Sequence, residues 1–475
     1  MVPDLPRHIY SRSLVLGQSF SSTSLGRRHS NSKGRRPFCP DGAQHTPNEA
    51  LRECARSESE PRASIDSGEL RNDTRKQESI ELTERIGSHA EASTLATTSE
   101  EEAWLCEALK ALVQKDSKWF SWRYGSKIHY RQKGDKGPCI LLVHGFGVGS
   151  FQFIPLMDVL AEGHQVWALD LLGQGLSWPS AEALAEQELR LSIDTWTELL
   201  TDFVGSVIQR PVYVAGNSLG GYLACNLAAR HGDLCLGALF LNATPFWAFN
   251  PPLDDRGLAA RILRAIIPYD GVMPAPNTLK AIVRRLWWDT FIQEDTIRSV
   301  LQQVYIDRNA ADARLLSNIL AATAHELAVD AIVSIIFSPG TSRPFGAMAA
   351  SLKVPSCLIY GREDPWVKPV WGQRLRRLLQ GSQTAYFEIS PAGHCPHDES
   401  PEAVSYCMRD WIASIEDSRK PSLAIGTELT MMSKAREVRV RHVSGEARTA
   451  LERFAQFFHR LGDSYSGRST GESNE

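Results

Sequence analysis

The sequence predicts an α/β protein, a mostly parallel, doubly covered sheet with a helical lid inserted ahead of one late strand. Three observations carry that expectation. Six short runs, 139–143, 165–169, 211–215, 237–241, 356–360 and 385–389, are β-branched or aromatic-rich and almost continuously apolar, as strands buried on both faces must be. Between most of them, segments 151–161, 194–209, 219–231, 370–380 and 401–415 place apolar residues three and four apart, the spacing of helices with one buried face. The alternation stops only at about 244–345, where helical periodicity continues without a convincing strand.

The elements follow in order. An opening hairpin is expected where Phe120–Tyr124 and Lys127–Arg131 flank Gly125-Ser126, so order begins near Trp119. Residues 1–40 are basic and serine-rich, with Arg7, Arg12, Arg27, Arg28, Lys33, Arg35 and Arg36 against Asp4 alone. This is organelle-transit composition, without the apolar core of a secretory signal. The competing reading is a plain basic tail. Residues 41–118 are rich in Glu, Ser, Arg and Thr and read as a disordered linker. The domain proper is expected over 119–415, and 416–475 is a C-terminal tail. In it Ala447, Leu451, Phe454, Phe458 and Leu461 form an amphipathic stripe suited to docking on the core, a membrane surface or a partner.

Composition narrows the function. The net charge of −3 over 475 residues is small and mixed in sign, which gives no electrostatic basis for binding nucleic acid. Nine cysteines with no Cys-x-x-Cys pair suggest a reducing compartment and no metal site. No apolar stretch reaches the ~20 residues of a membrane span, so any membrane contact is expected to be peripheral. No phosphate-binding Gly-Lys-Ser/Thr loop occurs, and no cofactor is implied.

The chemistry centres on Gly216-Asn-Ser-Leu-Gly220, set between an apolar strand and a helix pattern. A sharp turn there would lift Ser218 clear of the sheet, with the glycines removing side chains that would collide. A serine nucleophile needs a histidine base, and the base needs a carboxylate to fix its tautomer. Asp364 follows the strand 356–360 and His394 follows 385–389, which is the order Ser, acid, His. Glu363 and His397 are the nearby rivals. Backbone N–H groups of Leu219 and of Phe146, in the loop Val143-His-Gly-Phe-Gly, are expected to meet the oxyanion. Asp170, in Asp-Leu-Leu-Gly-Gln-Gly-Leu-Ser, is given a structural role. A serine at the elbow, where some relatives of such a sheet hold aspartate, favours ester hydrolysis over epoxide or haloalkane opening. Phe246, Trp247 and Trp366 are candidates to line a pocket for a bulky apolar ligand.

Several blocks resemble the pheophytinases, plastid α/β-hydrolases that remove phytol from pheophytin during chlorophyll breakdown. They are Gly145-Phe-Gly-Val-Gly-Ser-Phe, Asp170-Leu-Leu-Gly-Gln-Gly-Leu-Ser, Val214-Ala-Gly-Asn-Ser-Leu-Gly-Gly-Tyr, Leu241-Asn-Ala-Thr-Pro-Phe-Trp, Tyr360-Gly-Arg-Glu-Asp-Pro-Trp-Val and Ile389-Ser-Pro-Ala-Gly-His-Cys-Pro-His-Asp-Glu. The resemblance spans about 119–415, although 178–190 looks shorter than the insertion expected of land-plant members. It implies an α/β-hydrolase fold, a Ser218–Asp364–His394 triad and cleavage of the phytyl ester of pheophytin, a lipophilic pigment. It also implies a chloroplast location, stromal or peripheral to the thylakoid membrane, with contact to that membrane or to other enzymes of chlorophyll breakdown left open. The alternatives are a chlorophyll dephytylase or lipid esterase, and a non-catalytic ligand receptor that keeps the fold.

Overall fold

The computed structural model describes residues 107–186, 188–243, 269–339, 345–379, 383–447 and 449–457, all within one compact unit, Ser88–Glu475. The transit-like segment, most of the linker reading, insertion residues 244–268, and Phe458 and Leu461 therefore lie outside the described residues.

The strands are β1 (Ser117–Trp122), β2 (Ser126–Lys133), β3 (Cys139–Val143), β4 (Gln165–Leu169), β5 (Val212–Asn217), β6 (Cys235–Leu241), β7 (Ser356–Gly361), β8 (Thr384–Ser390), β9 (Glu428–Ser433) and β10 (Arg436–His442). They form one sheet in the order β1-β2-β4-β3-β5-β6-β7-β8-β10-β9. From β4 to β8 every neighbour is parallel. The β1–β2 hairpin joins β4 antiparallel at one margin, and the β9–β10 hairpin joins β8 at the other. All residues of β3, β5 and β7 are buried, which is why their sequences do not alternate. One core cluster joins Ile140, Leu142, Phe153, Met157, Leu239, Phe387 and Trp411.

Chain order reverses at β3, which has β4 on one side and β5 on the other. Loops leaving the carboxyl ends of two such strands run apart and leave a crevice, the usual ligand position in open α/β sheets. The loop 144–149 and the turn at Ser218 both stand at this crevice. Between β6 and β7 the described insertion is helical, with Asn277–Val283, Glu294–Val304, Ala313–Thr323 and Ala328–Phe337. Asp312 caps Ala313–Thr323 by accepting from Leu315 N at 2.7 Å. Trp287 stacks on Phe291 with ring centroids 4.5 Å apart, so part of the insertion's aromatic content is used in its own packing. Among the described residues no single helix is long and apolar enough to cross a membrane. Ala313–Thr323 and Ala328–Phe337 qualify only as a pair bent by 83°.

Two features depart from the sequence reading. Structure begins before Trp119: a short helix, Glu107–Lys110, buries Leu109, and Leu112 is buried after it. The region read as a tail contains β9 and β10, which extend the sheet. The tail also carries a helix, 450–457, on which part of the apolar stripe falls. Leu451 and Phe454 are exposed, while Glu452 meets Arg362 at 2.9 Å and Gln456 reaches Gln373 at 2.6 Å.

Candidate active site

Ser218 joins β5 to the helix Leu219–Arg230 with φ 53° and ψ −115°, a conformation that L-residues avoid. Close packing enforces it. A Cβ on Gly216 would lie 2.1 Å from the backbone of Gly220, and one on Gly220 would lie 2.0 Å from Val143 O. A serine before a helix ordinarily caps it through its hydroxyl, yet this one makes no cap hydrogen bond. Its hydroxyl is left for other partners, and the residue is partly exposed.

His394 follows β8, and its Nδ1 lies 2.7 Å from Asp364 Oδ2. Facing a carboxylate, Nδ1 carries the proton and leaves Nε2 as the basic nitrogen. The Asp364 carboxylate also accepts from Asn242 Nδ2 at 2.7 Å, Trp366 N at 2.7 Å and Val367 N at 2.9 Å. Burial alone would push this carboxyl up. His394 and the two amides outweigh burial and hold it below the ordinary carboxylate range. The histidine loop is brought to the elbow by Asn217, whose side-chain amide donates to His394 O and Leu241 O, each at 3.0 Å.

The loop after β3 passes directly beside the serine, since a Cβ on Gly145 would stand 3.4 Å from Ser218 Cβ. His144 fixes this loop. Its Nε2 accepts from Leu171 N at 2.9 Å, so Nδ1 must donate to Gly145 O at 2.7 Å, and burial keeps the ring neutral by lowering its pKa. Gly147, at φ 75°, donates its N–H to Gln174 at 2.7 Å. The Phe146 amide lies between these two anchors. Leu219 opens its helix, where the first N–H groups have no acceptor within the helix. An oxygen held between these amides would meet two fixed donors.

Both rivals are turned away from the site. Glu363 accepts from Ser390 Oγ at 2.6 Å and Ala392 N at 2.9 Å, tying the acid loop to the histidine loop. His397 is fully buried with its ring 4.5 Å from that of Phe153, and has no hydrogen-bond partner among the described residues. Burial, then the charges of His394 and Lys434, push its pKa down to about 3. Trp366 stands 5.2 Å from the His394 ring and is 42% exposed, a position from which it can meet a ligand. Phe246 and Trp247 lie outside the described residues. Asn217, Asn242 and His144 were missed from sequence. The available signal for each was a polar residue directly after an apolar parallel strand or closing it.

Residues 140–405, more than half of the chain, match the model of the alpha/beta hydrolase family. The chain is similar to the chloroplastic pheophytinase of Arabidopsis thaliana, with 38% identity over 325 residues, covering 62% of this chain and 66% of that protein, just under two thirds of its length. It is 23% identical over 285 residues to Lipase 1 of Psychrobacter immobilis, covering 58% of this chain and 77% of that one. A thermophilic esterase from Thermogutta terrifontis superposes with a TM-score of 0.47 at 16% identity, covering 64% of this chain and 99% of the other. By the match over residues 140–405, this chain belongs to the alpha/beta hydrolase family.

Proposed function

We propose that the protein is a serine esterase that cleaves the phytyl ester of pheophytin to pheophorbide and phytol in the chloroplast. The observation that carries the chemistry is the pairing of a strained, uncapped Ser218 with a buried His394–Asp364 hydrogen bond of 2.7 Å. Ser218 Oγ attacks the ester carbonyl as His394 Nε2 takes its proton, and Asp364 stabilises the imidazolium that forms. The negative oxygen rests between the amides of Leu219 and Phe146. His394 then passes the proton to the departing phytol oxygen, leaving an acyl-serine. Water, deprotonated by the same histidine, attacks that ester and releases the acid.

The substrate is supported by the 38% identity to a protein named chloroplastic pheophytinase and by the basic, serine-rich first forty residues. Trp366 is proposed to border the pocket, with Phe246 and Trp247 as further lining and the 244–345 insertion as its lid. Stromal or thylakoid-peripheral placement belongs to the same proposal. The likeness to a bacterial lipase favours, as a second reading, an esterase of another lipophilic ester.

The purified chain should be offered pheophytin, chlorophyll and a simple aryl ester in parallel, with phytol and acid release followed. Faster release from pheophytin supports the assignment. Preference for the aryl ester would sink the pigment substrate and spare the hydrolase, and pigment binding without any turnover would turn the reading toward a receptor.

A further inference from the structure

We propose that Glu399 is a positioning residue that ties His394 to the helical insertion and holds the base in place only while its carboxylate is ionised. The proposal rests on the serine-esterase reading above.

The side chain of Glu399 is fully buried and bridges two separate parts of the fold. Its Oε1 accepts from Gly393 N at 2.7 Å, the residue directly before His394. Its Oε2 accepts from Ile306 N at 2.9 Å and Asp307 N at 2.8 Å, just beyond the insertion helix Glu294–Val304. The same seam is closed by His394 N donating to Val304 O at 2.9 Å. It leaves no room for a side chain, since a Cβ on Gly393 would stand 2.1 Å from Val304 O. Three backbone donors on one carboxylate therefore fix the distance between the insertion and the histidine loop. A protonated carboxyl would present a donor of its own to one of these N–H groups and lose that acceptor.

The surroundings make this bridge responsive near neutrality. Burial raises the Glu399 carboxyl from 4.5 to about 7, against the lowering effect of the three amides and of Arg436. Arg436, on β10, pairs in charge with Asp307, its Nε 3.2 Å from Oδ2 without a hydrogen bond, and forms no ion pair with the Glu399 carboxylate among the described residues. On Glu399's own turn, Asp398 is occupied by Tyr305 at 2.9 Å and Lys434 at 3.2 Å. Burial keeps the Cys395 thiol and His397 uncharged. The sign is distinctive. Because the folded-state value lies above the unfolded one, acidification from 7 toward 4.5 adds stability through this group even as it loosens the bridge. Activity and stability should therefore separate.

The test is the acid limb of the kcat/KM profile on an aryl ester, wild type against Glu399→Gln, with the fold of each checked by urea unfolding. The expected wild-type limb carries one proton more than that of Glu399→Gln, the proton on Glu399. In Glu399→Gln kcat should be lowered by about 10²-fold, the scale of an ångström misplacement, with KM little changed. Wild-type kcat and an unchanged limb in the folded variant would overturn the proposal. A second measurement needs no variant: the protection of the Gly393, Ile306 and Asp307 amides against exchange, taken relative to the intrinsic exchange rate at each pH, should fall as pH falls through about 7 while that of β3 and β5 amides does not, and uniform behaviour would also overturn it. An inactive wild type would instead remove the esterase reading, and the exchange experiment would still decide the bridge.

Discussion

Among the described residues, two histidine–aspartate pairs are of nearly equal length, each with a serine nearby in the fold, and only one has the surroundings of a reactive centre. His129 Nδ1 stands 2.9 Å from Asp170 Oδ2, and His129 Nε2 is 2.9 Å from Ser117 Oγ. By residue type and order of contact this is a complete relay. Ser117, however, belongs to the regular strand β1, is buried, and already accepts from Gln114 N at 3.0 Å. Its hydroxyl has one proton and gives it to His129. Asp170 is engaged from three sides, by His129 and by the amides of Ser150 and Leu176. These bonds hold β1, β2 and the loop after β4 together. At Ser218 the backbone is strained, the hydroxyl caps nothing, and a glycine loop and a helix N-terminus adjoin it. Residue types and a hydrogen bond are thus insufficient; the backbone around the serine makes the difference.

The largest expected contrast is between the two serines. Ser218→Ala should lower kcat on an aryl ester by about 10⁶-fold. Ser117→Ala should leave kcat unchanged and lower stability by about 1–3 kcal/mol in urea unfolding, the cost of leaving buried His129 Nε2 without its partner. Comparable rate losses in the two variants would erase the distinction. The aspartates should divide in the same way. Asp364→Asn is expected to lower kcat by about 10⁴-fold by allowing the wrong tautomer of His394. Asp170→Ala should lower stability by about 3–5 kcal/mol, as breaking a buried pair does, with kcat per folded molecule retained. A stable, inactive Asp170→Ala protein would contradict that assignment.

The smallest effect is spread over pH. Burial lowers the pKa of His129, His144 and His397, the last to about 3. Each folded-state value lies below the unfolded 6.5, so the unfolded chain takes up these protons first. The stability these histidines contribute is then full above 6.5 and declines on acidification by up to about 1.4 kcal/mol per pH unit for each, opposite in sign to Glu399. Asp364, with its depressed value, adds to the loss only below 3.8. His397→Leu, which keeps an apolar group against Phe153, should flatten the decline in urea midpoint between pH 6.5 and 5. An unaltered slope would show that His397 takes no part.

The parallel core was legible because burial on both faces writes itself into β3, β5 and β7 as unbroken apolar runs. The elbow was legible because only glycine fits at 216 and 220. The hairpin of β9 and β10 was not read. Its strands are half exposed at the sheet margin, and β10 buries only Val438, Val440 and His442 among arginines. Its turn runs through Lys434 and Ala435 at φ 45° and 58°, without the Asn-Gly that usually marks such a turn. Asn242 escaped for another reason. It acts through a contact 122 positions away, to Asp364, and no local pattern records a distance of that kind. The stripe containing Leu451 and Phe454 names an apolar face without naming what covers it, and it carries no sign of the polar contacts beside it. Here polar anchors, Glu452 and Gln456, hold the helix down.

The β9–β10 hairpin also bears on where this protein can be cut. The family match ends at residue 405, but hydrogen bonding across the sheet does not. β10 pairs with β8 from Arg439–Ser390 to His442–Phe387, along the strand that delivers His394. A chain shortened to the matched residues would turn β8 into a raw edge, with unpaired N–H and C=O groups beside buried Phe387 and Ile389. Such an edge recruits other strands, including those of neighbouring copies. The hairpin at the sheet margin thus guards the edge of the strand that leads to His394 against aggregation.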